Sequence, residues 1–140
     1  MDNDAALQWA SDRRHGVLIT IRADGRPQSS DVSYFVNDGT IVISVTDGRA
    51  KTNNLRRDPR AVFHLTEPAS WSYVSFDGVV ELSPVAAEPG DATADDLVEY
   101  YRTVAGEEHP DWDEYRQAMV AEGRLLVRLT PTSAVGQIHT

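Results

Sequence analysis

The sequence predicts a mainly β fold with inserted helices, an α+β chain whose antiparallel strands close into a barrel. Three observations lead there. Runs of β-branched and aromatic residues recur at short intervals, Asp-Gly pairs punctuate them, and helix-start patterns interrupt the series before a last strand. An Asp-Gly pair between such runs is a strong local hairpin signal, because glycine supplies the positive φ that tight hairpin turns require.

Bulk properties narrow the field. A chain of 140 residues with 41% hydrophobic content fits one domain spanning residues 1–140. Thirteen Lys and Arg against 22 Asp and Glu give a net charge of -9, which opposes binding to nucleic acid or an anionic membrane surface. Any anionic ligand must therefore meet a local basic patch. The chain has no cysteine, hence neither a disulfide nor a thiolate metal ligand, and its four histidines lack metal-ligand spacing, so no metal is expected. Met1 to Ser11 carries Asp2 and Asp4 rather than the basic-then-apolar order of a signal peptide. No later stretch is as uniformly apolar as a membrane span, and a cytoplasmic location is the expectation.

The elements follow in order. Residues 4–14 space Ala5, Leu7, Trp9 and Ala10 among polar groups, as a short opening helix ending by Gly16 does. Next come VLITI, PQSSDVSYFV and TIVISVT, separated by Asp24-Gly25 and Asp38-Gly39, and these read as three antiparallel strands. RAKTNNLRR, Arg49 to Arg57, has good helix formers and no alternation, and Asp58-Pro59 closes it because the residue before proline avoids helical angles. AVFHLT and the run from Trp71 to Leu82 restore the strand pattern, with a bulge or turn at Gly78. Pro84 to Asp91 reads as a surface connection. Helix starts are expected at Thr93 with Asp96 and at Asp111 with Glu114, the second helix ending near Gly123. Arg124 to Leu129 reads as the final strand, and Thr130 to Thr140 as an irregular tail.

Chemistry concentrates at one place. Arg49, Lys51, Arg56, Arg57 and Arg60 put five of the thirteen basic residues within twelve positions of an acidic chain. Asp47-Gly48 turns the chain there, and Arg49 to Thr52 opens a helix whose free N–H groups favour a phosphate. Arg49 and Lys51 add charge, and Thr52 a hydroxyl donor. A basic run is also what a solvated helix face looks like. Gln28, Ser29, Ser30 and Asp31 place small polar groups in a strand, Gln28 and Ser30 on one face, Ser29 and Asp31 on the other. One face is suited to hydrogen-bonding a heteroaromatic ring, or simply to solvent. Trp71 and Tyr73 share a strand face and suit either stacking on a planar ligand or packing in the core. Tyr34 and Tyr73 are candidate proton donors as well as packing residues.

The order VLITIRADGRPQSSDVSYF, TIVISVTDGRAKTNNLRRDPRAVFHL, WSYVSFDGVVEL resembles the pyridoxamine 5'-phosphate oxidase-like split β-barrel family. Within it, the likeness is to the small actinobacterial enzymes that use the deazaflavin coenzyme F420. It spans nearly the whole chain, and RAKTNNLRRDPR is its most specific part. The resemblance implies an FMN-binding-like split barrel, homodimeric, with cofactor sites at the subunit interface and a small-molecule substrate. It implies that Arg49, Ala50, Lys51 and Thr52 hold the cofactor phosphate, and that Gln28, Ser29 and Ser30 run beside the ring. It further implies that Ser44, Val45 and Thr46 supply backbone contacts to ring or polyol, that Trp71 and Tyr73 close the site, and that Gly136 and Gln137 approach the ring. The implied activity is hydride transfer between reduced F420 and an electron-poor double bond. FMN is the alternative cofactor, and a non-catalytic flavin or deazaflavin carrier the alternative role. The tail PTSAVGQIHT lacks the Arg- and His-bearing segment that holds substrate phosphate in true pyridoxamine 5'-phosphate oxidases, which argues against vitamin B6 oxidation. An acidic cofactor tail would need more positive charge, for which Arg56, Arg57 and Arg60 are available if they face the groove.

Overall fold

The computed structural model describes all residues, Met1–Thr140. Its elements are α1 (Asn3–Ser11), β1 (His15–Ile21), β2 (Pro27–Asn37), β3 (Thr40–Thr46), α2 (Ala50–Arg57), β4 (Arg60–Glu67), β5 (Ser72–Leu82), α3 (Ala92–Ala105), α4 (Trp112–Glu122) and β6 (Arg124–Gln137). A single 3₁₀ turn, Pro68–Ser70, joins β4 to β5. The strands close in the order β1-β2-β3-β6-β5-β4, every neighbouring pair antiparallel. Two joints are short: β2 meets β3 only from Tyr34 to Asn37, and β1 meets β4 only from Val17 to Ile19.

Alternation along the strands fills the barrel. Leu18, Tyr34, Ile43, Phe63, Phe76, Leu125 and Val127 are fully enclosed, and Tyr34 meets Phe63 edge-on at 4.8 Å between ring centroids. The Tyr34 hydroxyl donates to the Ala10 carbonyl at 2.6 Å, which fastens α1 over one barrel end. A second cluster, Val42, Leu97, Val98, Tyr115, Met119 and Leu126, seats α3 and α4 on the outside of β3 and β6. That helical pair forms one wall of the cavity described below. No helix is long and apolar enough to cross a membrane.

Two expectations are corrected. Helix α3 is capped by Asp91, whose side chain accepts from the Ala94 N–H, rather than by Thr93. Thr93 instead donates its hydroxyl to the Pro84 carbonyl and is buried. The last strand runs on to Gln137, eight residues past Leu129, because β5 offers backbone partners from Tyr73 to Leu82. Its outer half is mostly solvent-facing and so lacks an apolar alternation to read. The irregularity expected at Gly78 is present as a register shift between Asp77 and Gly78. There Gly78 faces Pro131, which has no N–H to give the ladder.

Candidate functional site

Strand β3 ends at Thr46, the chain turns through Asp47 and Gly48, and α2 begins at Ala50 with Arg49 as its N-cap. No side chain caps this helix. The N–H groups of Ala50, Lys51 and Thr52 have no partner within the chain. A helix start of this kind presents free donors and the positive end of the helix dipole to whatever lies in front of it.

What lies in front is a cavity of about 450 Å³ lined by Ser44, Val45, Thr46, Arg49 and Lys51 on one side and Tyr100, Tyr101, Tyr115, Met119 and Arg124 on the other, with Asp31, Val32 and Ser33 along a third edge. Neither Arg49 nor Lys51 forms an ion pair, whereas Arg124 is held by Glu122 at 3.2 Å. Lys51 is the chain's sole lysine. Burial, followed by repulsion from Arg49 and Arg124, holds its ammonium below the ordinary lysine range. Three cations crowded around free N–H groups, two of them unneutralised, form a site that gains from an anion.

The other arginines of the basic run are engaged elsewhere. Arg56 pairs with Asp47 at 2.6 Å, Arg57 donates to the Ile21 carbonyl and the Asn54 side chain, and Arg60 pairs with Asp58 at 2.8 Å. None lines the cavity. Arg124 takes that place. Thr52 is fully buried and its hydroxyl donates to the Thr46 carbonyl at 2.8 Å, so it braces the turn instead of offering a proton outward.

Strand β2 meets the cavity further along than expected. Gln28 and Ser30 pair with Thr20 and Leu18, both fully buried, and therefore share the face that looks into the barrel. The Gln28 side chain accepts from Asn54 of α2 at 3.1 Å. Ser29 lies on the outer face but outside the cavity lining; Asp31, Val32 and Ser33 line it instead. There the Tyr100 hydroxyl donates to the Ser33 carbonyl at 3.0 Å, drawing α3 against this stretch of strand.

Trp71 and Tyr73 line a separate, largely apolar cleft of about 620 Å³ with His64, Thr66, Glu67, Ser72 and Gln137. Trp71 precedes β5 rather than lying in it, and at 81% exposure it stands out into solvent. Its φ of 57° is left-handed, and its carbonyl accepts from the Gln137 side chain at 3.0 Å. Gly136 lies beside it, where a Cβ would come within 2.2 Å of the Tyr73 carbonyl oxygen. Tyr34 is enclosed in the core with its hydroxyl engaged and its ionisation pushed far up by burial, which removes it as a proton donor.

A shallower depression joins the two. It is lined by His15, Gly16, Val17, Asp31, Val32, His64 and Thr66. Asp31 and Val32 also line the cationic cavity, and His64 and Thr66 the aromatic cleft. The result is one trough across the outer faces of β2, β1 and β4 to the start of β5. Tyr101, Arg124, His64 and the join itself escaped sequence reading. Arg124 lies 73 positions after Lys51, and only the β3–β6 pairing of Thr46 with Arg124 brings them together.

Comparison with known proteins agrees with this architecture. The sequence model of the family described as pyridoxamine 5'-phosphate oxidase matches residues 3–136. A conserved hypothetical protein from Mycobacterium tuberculosis superposes with a TM-score of 0.78 at 25% identity, over 99% of this chain and 86% of that one. An F420 reductase superposes with a TM-score of 0.67 at 21% identity, over 91% and 94%. An FAD-binding protein from Mesorhizobium loti does so with a TM-score of 0.68 at 17% identity, over 97% and 92%. With a closed six-stranded barrel and a family match over almost its whole length, the chain belongs to the pyridoxamine 5'-phosphate oxidase family.

Proposed function

We propose that the chain is a coenzyme F420-dependent oxidoreductase acting on an electron-poor double bond of a small organic acceptor, with FMN as the rival cofactor. The observation that carries this reading is the linkage, through shared lining residues, of an unneutralised cationic cavity to a cleft walled by Trp71 and Tyr73. A phosphorylated polyol attached to a flat ring system carries the matching anionic and aromatic parts. Arg49, Lys51 and the N–H groups of Ala50, Lys51 and Thr52 would hold the phosphate. Thr46 and Ser44 would border the polyol, and Trp71 and Tyr73 the ring. Arg124 supplies the positive charge that a further acidic group on the cofactor would need. Among the structural relatives, one named an F420 reductase and one named FAD-binding both support a redox coenzyme.

When bound, such a coenzyme supplies a hydride. The protein's part is to fix the ring against the acceptor and exclude water. A ring lying on the outside of the barrel is open on its far side, and Trp71, just before β5, and Val135 on β6 are exposed apolar groups on that side. A second copy of the chain laid on this face would cover them, so the working unit in this reading is a homodimer in the cytoplasm. Sedimentation at micromolar concentration tests the assembly, and a monomer would count against it.

The cofactor is tested by titrating purified protein with F420 and FMN and following fluorescence. Tight F420 binding with weak FMN binding is expected. The reverse order would transfer the assignment to FMN, and binding of either without turnover over a panel of enones and quinones would favour a carrier.

A further inference from the structure

Reduction of an electron-poor double bond needs a proton as well as a hydride, and resting on the oxidoreductase reading above, we propose that His64 is the catalytic acid that delivers it. His64 sits where the depression meets the aromatic cleft and lines both. Its ring is 5.8 Å from that of Tyr73, tilted by 35°, so the two flank the same opening. Its Nε2 lies 3.0 Å from Thr66 Oγ1, while Nδ1 has no partner. With Nε2–H donating to Thr66, the free Nδ1 is the atom left to act on a ligand.

A hydride added to the β-carbon of an enone moves the π electron pair toward the carbonyl as an enolate. The Nδ1–H of the imidazolium then gives its proton to the α-carbon, forming the second C–H bond and leaving neutral imidazole with Nε2–H still on Thr66. Water returns the proton to Nδ1. No other group in the trough is as well placed. Asp31 and Glu67, which face the same opening, are acceptor-only when ionised, and the Glu67 carboxylate is engaged by Ser70 and Arg13. His15 lies at the far side of the depression against Ser33. The Tyr73 hydroxyl is the one rival.

The test uses the full chain as wild type, His64→Gln and Tyr73→Phe. Titration with F420 and with FMN gives cofactor affinity, turnover of cyclohexenone gives kcat against pH, and imidazole NMR of the wild type reports His64 directly, its signals assigned by their loss in H64Q. H64Q is expected to keep cofactor affinity within about twofold while kcat falls about 100-fold. The shape of the pH profile should differ between the two proteins. In the wild type, the His64 resonances should move when cofactor binds. Full activity and an unchanged pH profile in H64Q, His64 resonances unmoved by saturating cofactor, or a rate loss in Y73F instead of H64Q would each overturn the assignment while leaving the oxidoreductase reading standing. A wild-type protein that binds neither coenzyme would overturn both.

Discussion

Thr52 Oγ1 donates to the carbonyl oxygen of Thr46 at 2.8 Å, tying the first turn of α2 to the end of β3 across Asp47 and Gly48. The backbone that carries Arg49 is thus held at both ends by one buried side chain. Thr52→Val keeps the shape and removes the donor. Stability measured by urea unfolding should drop by about 1 kcal/mol, and phosphate-ligand affinity should drop with it because the free N–H groups are no longer fixed. Thr52→Ser should restore both. If Thr52→Val binds as well as the wild type, the brace does not position the site.

Within the basic run, side chains of one type should behave differently according to their partners. Lys51→Ala and Arg49→Ala each remove an unpaired cation from the cavity and should weaken cofactor binding by about tenfold or more, as loss of a charge-assisted contact does. Arg56→Ala removes a guanidinium already satisfied by Asp47 and lying outside the cavity, and affinity should stay within about twofold. Calorimetric titration of the three variants decides this. Equal losses in all three would mean that the run acts only as a diffuse positive field.

The contrast shows how far the site was legible. The run from Arg49 to Arg60 was visible as a cluster because charge density is a property of sequence. Which members point into the cavity depends on the acids each one meets, and Asp47 and Asp58 claim Arg56 and Arg60 through local turns. Arg124 could not be found that way, since it joins the cluster only through the β3–β6 register. The fold was more readable, because alternation and Asp-Gly turns are local signals. Legibility failed at Thr130 to Gln137, where pairing with β5 rather than burial makes the strand. Gln28 and Ser30 show the same limit. A polar strand face reads as solvent or ligand, yet here it looks into the barrel, and Gln28 bonds to the Asn54 side chain of α2.

Trp71 combines high exposure with a left-handed backbone, a conformation that strains a bulky side chain. A residue kept there at a cost to folding points to use in binding. Trp71→Asn relieves the strain, since asparagine tolerates left-handed angles, and should raise stability by about 1 kcal/mol. The same change removes the aromatic wall, so cofactor affinity or dimerisation should weaken. Thermal melts and sedimentation read the two effects separately. A variant that loses stability would show that Trp71 packs as a structural residue.

Gly136 pairs with Val74 at φ 151°, with a hypothetical Cβ 2.2 Å from the Tyr73 carbonyl oxygen. The obstructing atom is backbone and cannot swing aside. Gly136→Ala must therefore push β6 away from β5 where Tyr73 enters the cleft, costing about 1–3 kcal/mol. Because Gln137 is the next residue and its side chain donates to the Trp71 carbonyl, the cleft should loosen as well. Urea unfolding checks the first effect, and Trp fluorescence quenching by iodide the second. A Gly136→Ala protein of wild-type stability would mean that β5 and β6 can part here at no cost.

Lys51 gives the pH dependence a definite sign. Its pKa in the folded chain is lowered, by burial first and then by Arg49 and Arg124. With the unfolded value ordinary, the folded state binds the lysine proton less tightly. The apo protein is therefore penalised while Lys51 is charged, and that penalty is relieved as pH rises through the folded pKa toward the unfolded one. An anion in the cavity favours the charged ammonium and should lift the pKa back. Cofactor affinity should accordingly fall as pH climbs through the lowered pKa, at a lower pH than an ordinary lysine would give, but not vanish, since Arg49 and Arg124 stay charged. The sole lysine makes this directly observable by reductive ¹³C-methylation and NMR, with only the amino terminus as a second signal. Lys51→Met should abolish the pH dependence of binding without destabilising the apo protein. A Lys51 signal that titrates like a free lysine, and does not shift when cofactor is added, would show that the cavity does not hold an anion against it.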